Sequence, residues 1–350
     1  MAPSGRAFRV DFPAAYLSAP AVLLPGRPLD NDEVLQRIRA NFRGDERSWS
    51  EIERSARFVL DRCNTRTRYL EESPDARVGD RAAEVAQACL QRHGVDAAEI
   101  DLLINGSIAR QYFEPATAME VAAKLGLREV HAFDVTSACV GQLEAVHIAC
   151  AYFALYPEMS TALVVAAELT KQFLAFDVQS PEDLTLKVAG LTIGNAATAW
   201  LVRRQPLPGG CLEIQGMRNY SLPRHWELCQ APIDGTFASD SHELFKLNVK
   251  VAPELARMIA AVGWSVDQVD HFVFHQPSEQ MIDKVLTDLG ADPARGLKTH
   301  HLYGNTASTT VALAMHEVLA QREVRAGDRM ILSSAAAGFS MVSAAGTWVG

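Results

Sequence analysis

The chain has 350 residues, of which 48% are hydrophobic and 21% charged, a composition typical of a soluble globular protein with a sizeable core. Its formal net charge of −9 and pI near 5.6 argue against nucleic acid or an anionic membrane as a partner. The N-terminal run MAPSGRAFRVDF lacks the apolar stretch of a signal peptide, so we expect a cytoplasmic protein.

The six cysteines are scattered, without a CxxC pair or a compact framework. This spacing favours a reducing compartment over structural disulfides or a zinc site, so we expect no metal. The longest apolar runs, such as Thr161–Glu168, are too short to span a bilayer, and we expect no membrane segment.

A weak internal repeat runs through the chain. Residues 94–104 (GVDAAEIDLLI) and 263–274 (GWSVDQVDHFVF) each predict a helix end, a short acidic turn and a buried strand. In the first copy a helix, a strand, a helix and a strand follow, at Thr117–Leu125, Val130–Val135, Cys139–Phe153 and Thr161–Ala167. In the second copy the same order is predicted at Glu279–Leu289, around Lys298–Tyr303, at Thr306–Ala320 and at Arg329–Ser334.

This repeated β-α-β-α-β order implies parallel strands joined by crossover helices. Two similar halves that each expose a sheet edge would pack back to back. We therefore predict an α/β fold of two pseudo-duplicated halves, residues 1–204 and 205–350, in a five-layered α/β/α/β/α arrangement. The division falls in Arg203–Gly210 (RRQPLPGG), which follows a strand-like run over Ala196–Val202. A chance similarity between unrelated elements is the alternative.

Cys139 lies where a predicted strand changes to a long helix, in the run HAFDVTSACVGQLEAVHIACAYFAL. Loops after parallel strands converge at one edge of a sheet, where such folds place their chemistry. We expect the helix dipole and free N–H groups to lower the pKa of the Cys139 thiol. The small residues Ser137, Ala138 and Gly141 leave room for an acyl chain. Cys139 is therefore a candidate nucleophile, and a small buried core residue is the alternative.

Two polar residues follow predicted strands or turns of the second half. His275, in HFVFHQPSEQMIDKV, could donate a hydrogen bond to a thioester oxygen or carry a proton. Asn305, in HLYGNTASTTVALAMH, could donate a second hydrogen bond, so that the pair would hold an enolate oxygen. Each could instead be a helix cap or a satisfied core residue. The C-terminal run ILSSAAAGFSMVSAAGTW predicts a tight turn between two strands, whose N–H groups could complete an oxyanion hole with that of Cys139.

Taken together, these motifs resemble the ketoacyl–acyl carrier protein synthase III group of thiolase-fold condensing enzymes, from about Asp61 onward. DVTSAC is similar to the nucleophile motif of the group, HQPSEQM to its histidine motif and YGNTAS to its asparagine motif. HELFKLNVKVAPEL and AAAGFSMVSAAGTW resemble its pre-histidine helix and terminal hairpin. The separation of His275 and Asn305, 305 − 275 = 30, is typical of the group. Degradative thiolases fit less well, since they have a second cysteine near the C-terminus and none follows Cys229 here.

The resemblance implies a thiolase-like acyltransferase. Cys139 would carry the acyl group, His275 and Asn305 would bind the carbonyl of the incoming thioester, and the N–H groups of Cys139 and Ala337 would form the oxyanion hole. A homodimer is also implied, with Ala116–Leu125 and the neighbouring loop near the partner's tunnel. The substrates would be thioesters of coenzyme A or of the phosphopantetheine of acyl carrier protein, with no tightly bound cofactor.

The chain departs from the group at four places. Gly194–Ala196 reads Gly-Asn-Ala where the group often has Gly-Asp-Gly, which we interpret as a structural change. Ala335–Gly338 replaces a glycine run, and a backbone donor survives there if its φ does not require glycine. Gln280 stands where a typical fatty-acid enzyme has an arginine that helps to dock the carrier protein, so docking of that carrier does not follow from the resemblance.

The fourth departure is Glu114, in QYFEPATAM, 139 − 114 = 25 residues before Cys139. The common enzyme has a bulky aromatic residue there, contributed across the dimer. A carboxylate is similar instead to the olefin-synthesis enzyme that joins two fatty acyl thioesters, and to ketosynthases that join two polyketide chains on the way to α-pyrones. A malonyl donor forms its carbanion by losing carbon dioxide, whereas another acyl thioester must lose a Cα proton, which a desolvated carboxylate could take. A glutamate exposed in a loop before proline is the alternative.

We therefore predict a ketosynthase III-like acyltransferase that loads an acyl group on Cys139. A Claisen condensation with a second acyl or β-ketoacyl thioester would follow, with Glu114 of the partner subunit as the base. Such an enzyme would serve polyketide, fatty acid-derived or other secondary metabolite biosynthesis. Three alternatives stay open: decarboxylative condensation with malonyl–carrier protein, acyl transfer to a hydroxyl or amine, and a non-catalytic partner subunit. The sequence does not reveal the acyl chain lengths, the thiol carrier or the final product.

Overall fold

The computed structural model describes residues 13–233 and 237–350. The first twelve residues, over which the sequence predicts no signal peptide, lie outside these ranges. The strands are β1 (Tyr16–Ser18), β2 (Ala21–Leu23), β3 (Pro28–Asp30), β4 (Thr67–Tyr69), β5 (Leu102–Asn105), β6 (His131–Asp134), β7 (Thr161–Glu168), β8 (Ala196–Arg203), β9 (Cys211–His225), β10 (Cys229–Gln230), β11 (Ala238–Ser239), β12 (His271–Phe274), β13 (Arg329–Ala336) and β14 (Gly338–Val349). The α-helices are α1 (Asn31–Asn41), α2 (Glu46–Cys63), α3 (Val78–His93), α4 (Thr117–Lys124), α5 (Gly141–Leu155), α6 (Pro181–Lys187), α7 (Ser241–Leu247), α8 (Val251–Ala261), α9 (Glu279–Leu289), α10 (His300–Tyr303) and α11 (Thr310–Gln321).

A ten-stranded mixed sheet runs through the molecule in the order β12-β13-β14-β9-β1-β8-β7-β5-β6, with β2 also paired to β8. β5 is parallel to β6 and β7, and β12 is parallel to β13, as the repeated β-α-β order predicts. β1 pairs with both β8 and β9 and so joins the two halves of the sheet along their edges. The predicted division at residues 204 and 205 falls between β8 and β9, and it stays a prediction.

Alternate residues of the inner strands face different helix layers. In β5, Leu102 and Ile104 pack into a core shared with α5 and α11, whereas Leu103 packs with α3 and α4. In β13, Leu332 faces the same α5 and α11 core, whereas Ile331 packs with α8 and α9. Because strand side chains alternate between the two faces of a sheet, α5 and α11 lie between the sheet halves and the other helices lie outside. The predicted five-layered α/β/α/β/α fold is confirmed.

One predicted element is wrong. The sequence predicts a strand around Lys298–Tyr303, whereas the structure has helix α10 there. His300 is fully buried, and its imidazole bonds the backbone oxygen of Gln276 at 2.8 Å and the Thr65 hydroxyl at 2.6 Å. The N–H of Gly304 then donates to the carbonyl of His300 and closes the turn. These contacts with distant residues outweigh the local preference for an extended chain.

The stretch that contains α5 is longer than the apolar runs that the sequence analysis judged too short to span a bilayer. Ala138–Leu155 is long and apolar enough to cross a membrane by length and composition alone. The structure gives this composition another role, since α5 lies between the two sheet halves, where Leu143, Val146 and Ala149 are buried. A helix that contacts a sheet on both sides is apolar around most of its circumference.

Gly304 holds the turn that leads to Asn305. Its φ of 66° and ψ of −156° lie in a region that other residues avoid. A Cβ placed on Gly304 would lie 2.3 Å from the backbone oxygen of Thr192, the atom that accepts the Asn305 N–H at 2.7 Å. This close backbone approach therefore fixes the Asn305 turn against the segment before β8.

We expect Gly304→Ala to lower the free energy of unfolding by about 3 kcal/mol or more, because backbone strain adds to the clash with Thr192. Urea denaturation measures the change. The matched control is Gly263→Ala, at a φ of 77° with no atom within 4 Å of the added Cβ. The free energy of unfolding of Gly263→Ala should fall by only about 1 kcal/mol. Equal losses in the two variants would show that the approach to Thr192 does not constrain the turn.

Candidate active site

A single cavity of about 760 Å³ brings four of the five predicted site residues together. Cys139, His275, Asn305 and Ala337 all contribute to its wall, although they come from different loops of the two halves. Most of the remaining wall is apolar and includes Phe173, Phe245, Phe274, Ile282, Val285 and Phe339. A cavity of this size with a few polar groups is typical of small-molecule sites, and its apolar wall suits an acyl chain.

Cys139 lies in a tight turn just before α5. Its neighbour Ala138 has a φ of 47°, an uncommon conformation for a residue other than glycine. The carbonyl of Cys139 accepts a hydrogen bond from the Ser334 hydroxyl at 2.9 Å. Ser334 belongs to β13, so the turn that carries Cys139 is anchored to the other half of the molecule.

The surroundings of Cys139 raise the pKa of its thiol, and burial is the main cause. The Cys229 thiol and the Glu168 carboxylate add smaller effects in the same direction. The predicted lowering is therefore wrong in direction. Because α5 begins at Gly141, Cys139 lies outside the first helical turn, and its desolvation outweighs the helix dipole. At neutral pH the thiol is protonated, so attack on a thioester requires a proton acceptor.

His275 is held at the end of β12, where its N–H donates to the carbonyl of Ser333 at 2.8 Å. Burial lowers the pKa of His275 to about 3, with a smaller contribution from nearby His300. The imidazole is therefore neutral at physiological pH. Its Nδ1 is buried and has no hydrogen-bond partner within the described part of the chain. A neutral imidazole can donate one hydrogen bond or accept one proton.

The side chain of Asn305 has a fixed orientation. Its backbone N–H and C=O bond to Thr192 and Gly194 at 2.7 and 3.0 Å. Its side-chain oxygen accepts the N–H of Ala307 at 3.0 Å, in a turn where Ala307 has a φ of 51°. Since Oδ1 is occupied in this way, the Nδ2 amide is the donor that remains for a ligand in the cavity.

Ala337 forms the turn between β13 and β14, as the sequence predicts. Gly338, the next residue, has a φ of 112°, which explains why a glycine persists there. Among the described residues other than glycine, positive φ occurs at Asn64, Ala138 and Ala307. The alanines of the turn therefore do not need the conformational freedom of glycine, and the condition for keeping a backbone donor is met.

Glu114 stands apart from the other predicted residues. It is exposed and does not line the cavity of its own chain. Its loop connects β5 to α4, and the Asp134 carboxylate accepts the N–H groups of Thr117 and Ala118 at the start of α4, each at 2.8 Å. The loop therefore lies at the carboxyl end of β6, where Phe113 is 76% exposed beside Glu114.

Two residues near the site are not among the predicted site residues. Cys229, in β10, lines the cavity together with Cys139. Nothing in the local sequence marks Cys229, because only tertiary packing brings its hairpin to the cavity. Glu168 is buried at the end of β7, and an acidic residue that ends the apolar run TALVVAAE is a signal that could have identified it.

Residues 259–348 match the family model described as 3-oxoacyl-[acyl-carrier-protein] synthase III, C terminal. Two known proteins are similar over most of the chain. The acyl-CoA:acyl-CoA alkyltransferase of Xanthomonas campestris pv. campestris is 27% identical over 285 residues, 78% of this chain and 83% of that protein. The beta-ketoacyl-[acyl-carrier-protein] synthase III 2 of Streptomyces coelicolor is 28% identical over 340 residues, 96% of this chain and 94% of that protein.

The chain is similar over most of its length to ketosynthase III-type condensing enzymes. A solved structure of Xanthomonas campestris OleA with bound lauric acid and lauroyl-CoA matches this chain with a TM-score of 0.87 at 23% identity. The match covers 96% of this chain and 100% of the OleA chain. The resemblance inferred from the motifs is confirmed, and so is the thiolase-like fold.

We expect the rate at which iodoacetamide alkylates Cys139 to rise about tenfold per pH unit between about pH 7 and 9, without a plateau. The reason is that burial raises the pKa of the thiol, which keeps the thiolate a minor species over this range. Mass spectrometry of the Cys139 peptide measures the rate, and Cys139→Ser gives the background from the other cysteines. A plateau below about pH 8 would show that the free enzyme holds a thiolate.

Proposed function

We propose that this chain is a homodimeric enzyme that joins two acyl thioesters by a Claisen condensation without loss of carbon dioxide. The observation that carries the proposal concerns the carboxylates. No aspartate or glutamate is among the described residues that line the cavity. Glu114, the residue predicted to remove the Cα proton, lies on the surface of the same chain. The base would therefore come from a second copy of the chain.

Two surface features support a homodimer. β6 is the last strand of the sheet, so one of its edges has no neighbouring strand among the described residues. The loop and helix beside it expose Tyr112, Phe113 and Met119, by 43%, 76% and 50%. Sheet edges and large exposed apolar side chains are usually covered in native proteins. A second copy supplies the same edge and the same apolar groups, so a twofold interface would be self-complementary and would carry Glu114 into the partner.

The first half of the reaction loads the enzyme. Neutral His275 accepts the proton of the Cys139 thiol, and the sulfur attacks the carbonyl carbon of the first thioester. The N–H groups of Cys139 and Ala337 would hold the negative oxygen of the tetrahedral intermediate. When the carbon–sulfur bond to the carrier breaks, His275 returns the proton to the departing thiolate. The products are acyl-Cys139 and a free carrier thiol.

The second half forms the carbon–carbon bond. The carbonyl oxygen of the second thioester accepts hydrogen bonds from His275 and the Asn305 amide, which stabilise the enolate. Glu114 of the partner subunit removes the Cα proton. The carbanion attacks the acyl carbonyl, the bond to Cys139 breaks, and the thiolate takes the proton from the glutamate. A β-ketoacyl thioester leaves the site.

The named relatives support this reaction class. One is called an acyl-CoA:acyl-CoA alkyltransferase, a name that contains two acyl thioesters. The OleA structures similar to this chain include forms substituted at a cysteine, at a glutamate and at a histidine, which are the residue types that we assign to the nucleophile, the base and an oxyanion donor.

The six cysteines of this chain are free, which fits an enzyme of the reducing cytoplasm.

We expect Glu114→Gln to leave acylation of Cys139 unchanged and to slow condensation of two acyl thioesters by about 10²-fold or more, since an amide cannot accept the Cα proton. Intact-protein mass spectrometry after incubation with an acyl-coenzyme A measures the first step. Product analysis of the complete reaction measures the second. Condensation at the parent rate would rule out Glu114 as the base.

Mixed dimers test whether Glu114 acts across the interface. Cys139→Ser and Glu114→Gln homodimers should each be inactive, whereas mixed dimers would combine Cys139 of one subunit with Glu114 of the other. Random exchange makes half of the dimers mixed, each with one complete site, so activity should return to about a quarter of the parent rate. Failure to recover any activity, with mixed dimers demonstrated by mass spectrometry, would show that Glu114 does not act on the partner.

A second candidate reaction is decarboxylative condensation with a malonyl thioester. It is favoured by the beta-ketoacyl-[acyl-carrier-protein] synthase III relative, whose similarity extends over 96% of this chain.

With a malonyl donor labelled at the free carboxyl carbon, we expect acyl-loaded enzyme to release little labelled carbon dioxide. Rapid release coupled to product formation would favour the decarboxylative reaction instead.

A further inference from the structure

Glu168 is a buried carboxylate that the reaction described above does not use. It is 0% exposed at the end of β7. The N–H of Ile108 donates to Oε1 at 3.0 Å, and the N–H of Ala109 donates to Oε2 at 3.1 Å. The Ser308 hydroxyl also donates to Oε1. No lysine, arginine or histidine pairs with this carboxylate among the described ion pairs.

Burial without a cation is costly for a carboxylate. Desolvation raises the pKa of Glu168, while hydrogen bonds from Ile108, Ala109 and Ser308 favour its charged form. A smaller or apolar residue could end β7 without this cost. The hydrogen bonds that the carboxylate accepts therefore explain its presence, since they fix the position of the loops to which the donors belong.

The donors belong to the two loops that carry predicted site residues. Ile108 and Ala109 begin the loop that leads to Glu114. Ser308 lies in the turn that follows Asn305, one residue beyond the N–H that orients the Asn305 side chain. Because one carboxylate bonds both loops, a change in its position would be transmitted to both.

The loop that carries Glu114 is held at both ends. Glu168 bonds its first residues, and Asp134 bonds the N–H groups that follow it at the start of α4. Ser107 adds a third contact at the β5 end, since its hydroxyl accepts the N–H of Ala167 at 2.8 Å and donates to Asn105 at 2.7 Å. The exposed part of the loop, with Glu114, therefore projects from a framework fixed on either side.

We propose that Glu168 is a positioning residue for the condensation step. Through Ser308 it sets the Asn305 turn of its own cavity, and through Ile108 and Ala109 it sets the loop that presents Glu114 to the partner. Glu168 acts through these groups, since it does not line the cavity itself. The role toward Glu114 rests on the proposed function, whereas the role toward Asn305 applies to condensation with either donor.

The test separates the two chemical steps in Glu168→Gln. The variant keeps the shape of the side chain, but its amide group replaces one acceptor oxygen with a donor that faces another donor. We expect Cys139 acylation to stay within about twofold of the parent, and condensation to fall by about 10²-fold, because a small displacement of a reacting group has an effect of that size. The KM for the second thioester should rise while that for the first does not.

Two control variants make the result specific. Ser308→Ala removes the hydroxyl bond between Glu168 and the Asn305 turn and leaves the bonds from Ile108 and Ala109, so it should raise the KM for the second thioester with a smaller loss of kcat than Glu168→Gln. Glu254→Gln alters another buried glutamate, which lies in α8, is 4% exposed and bonds Arg218 at 2.8 Å and Arg257 rather than either loop. It should lower thermal stability and leave the ratio of acylation to condensation unchanged.

The proposal is overturned if Glu168→Gln slows acylation and condensation by the same factor, or changes neither. It is also overturned if Ser308→Ala leaves the KM for the second thioester at the parent value, a result that stays available should Glu168→Gln fail to fold. Both rates are measured with acyl and malonyl donors. If the parent uses only the malonyl donor, the proposed function fails. The ratio of the acylation rate to the condensation rate of each variant, measured with the malonyl donor, still decides the role of Glu168 toward Asn305.

Discussion

The burial of α5 and α11 between the two halves of the sheet is the constraint on which the site depends. The two helices share one hydrophobic core with the inner faces of both halves. Cys139 immediately precedes one helix and Asn305 precedes the other, so their common layer brings the two turns to the same cavity. The hydrogen bond from Ser334 to Cys139 adds a direct link between the halves. Cavity and core are therefore parts of one packing arrangement.

The same apolar surroundings account for the charge states of Cys139 and His275. Desolvation raises the pKa of the Cys139 thiol and lowers that of His275, so both effects favour a neutral pair. The surroundings that suit an acyl chain thus also keep Cys139 and His275 uncharged. In the proposed reaction, charge would develop only as the thioester reacts, where the Asn305 amide and the backbone of the Ala337 turn would supply donors.

Carboxylates serve the site in two different ways. Asp134 and Glu168 bond backbone N–H groups and hold the ends of one loop, whereas Glu114 in that loop is exposed and does not line the cavity of its own chain. A single chain therefore contains the proposed nucleophile, the proposed oxyanion donors and an apolar wall, whereas the proposed base of the condensation step, Glu114, lies at its surface. An edge strand and exposed aromatic side chains lie beside this base, and together they connect the proposed chemistry to a proposed dimer.

The sequence by itself predicted the layered fold and the positions of most helices and strands, because hydrophobic periodicity and turn residues depend on neighbours in the chain. The four residues that meet in the cavity were predicted as a set from motifs that resemble those of the ketosynthase III group. Tertiary structure alone decided that α10 is a helix, since His300 bonds Thr65, 235 residues away. It also decided the raised pKa of the Cys139 thiol, the presence of Cys229 in the cavity wall and the two loops joined by Glu168. Desolvation and hydrogen bonds between distant residues exist only in the folded chain, and no local pattern encodes them.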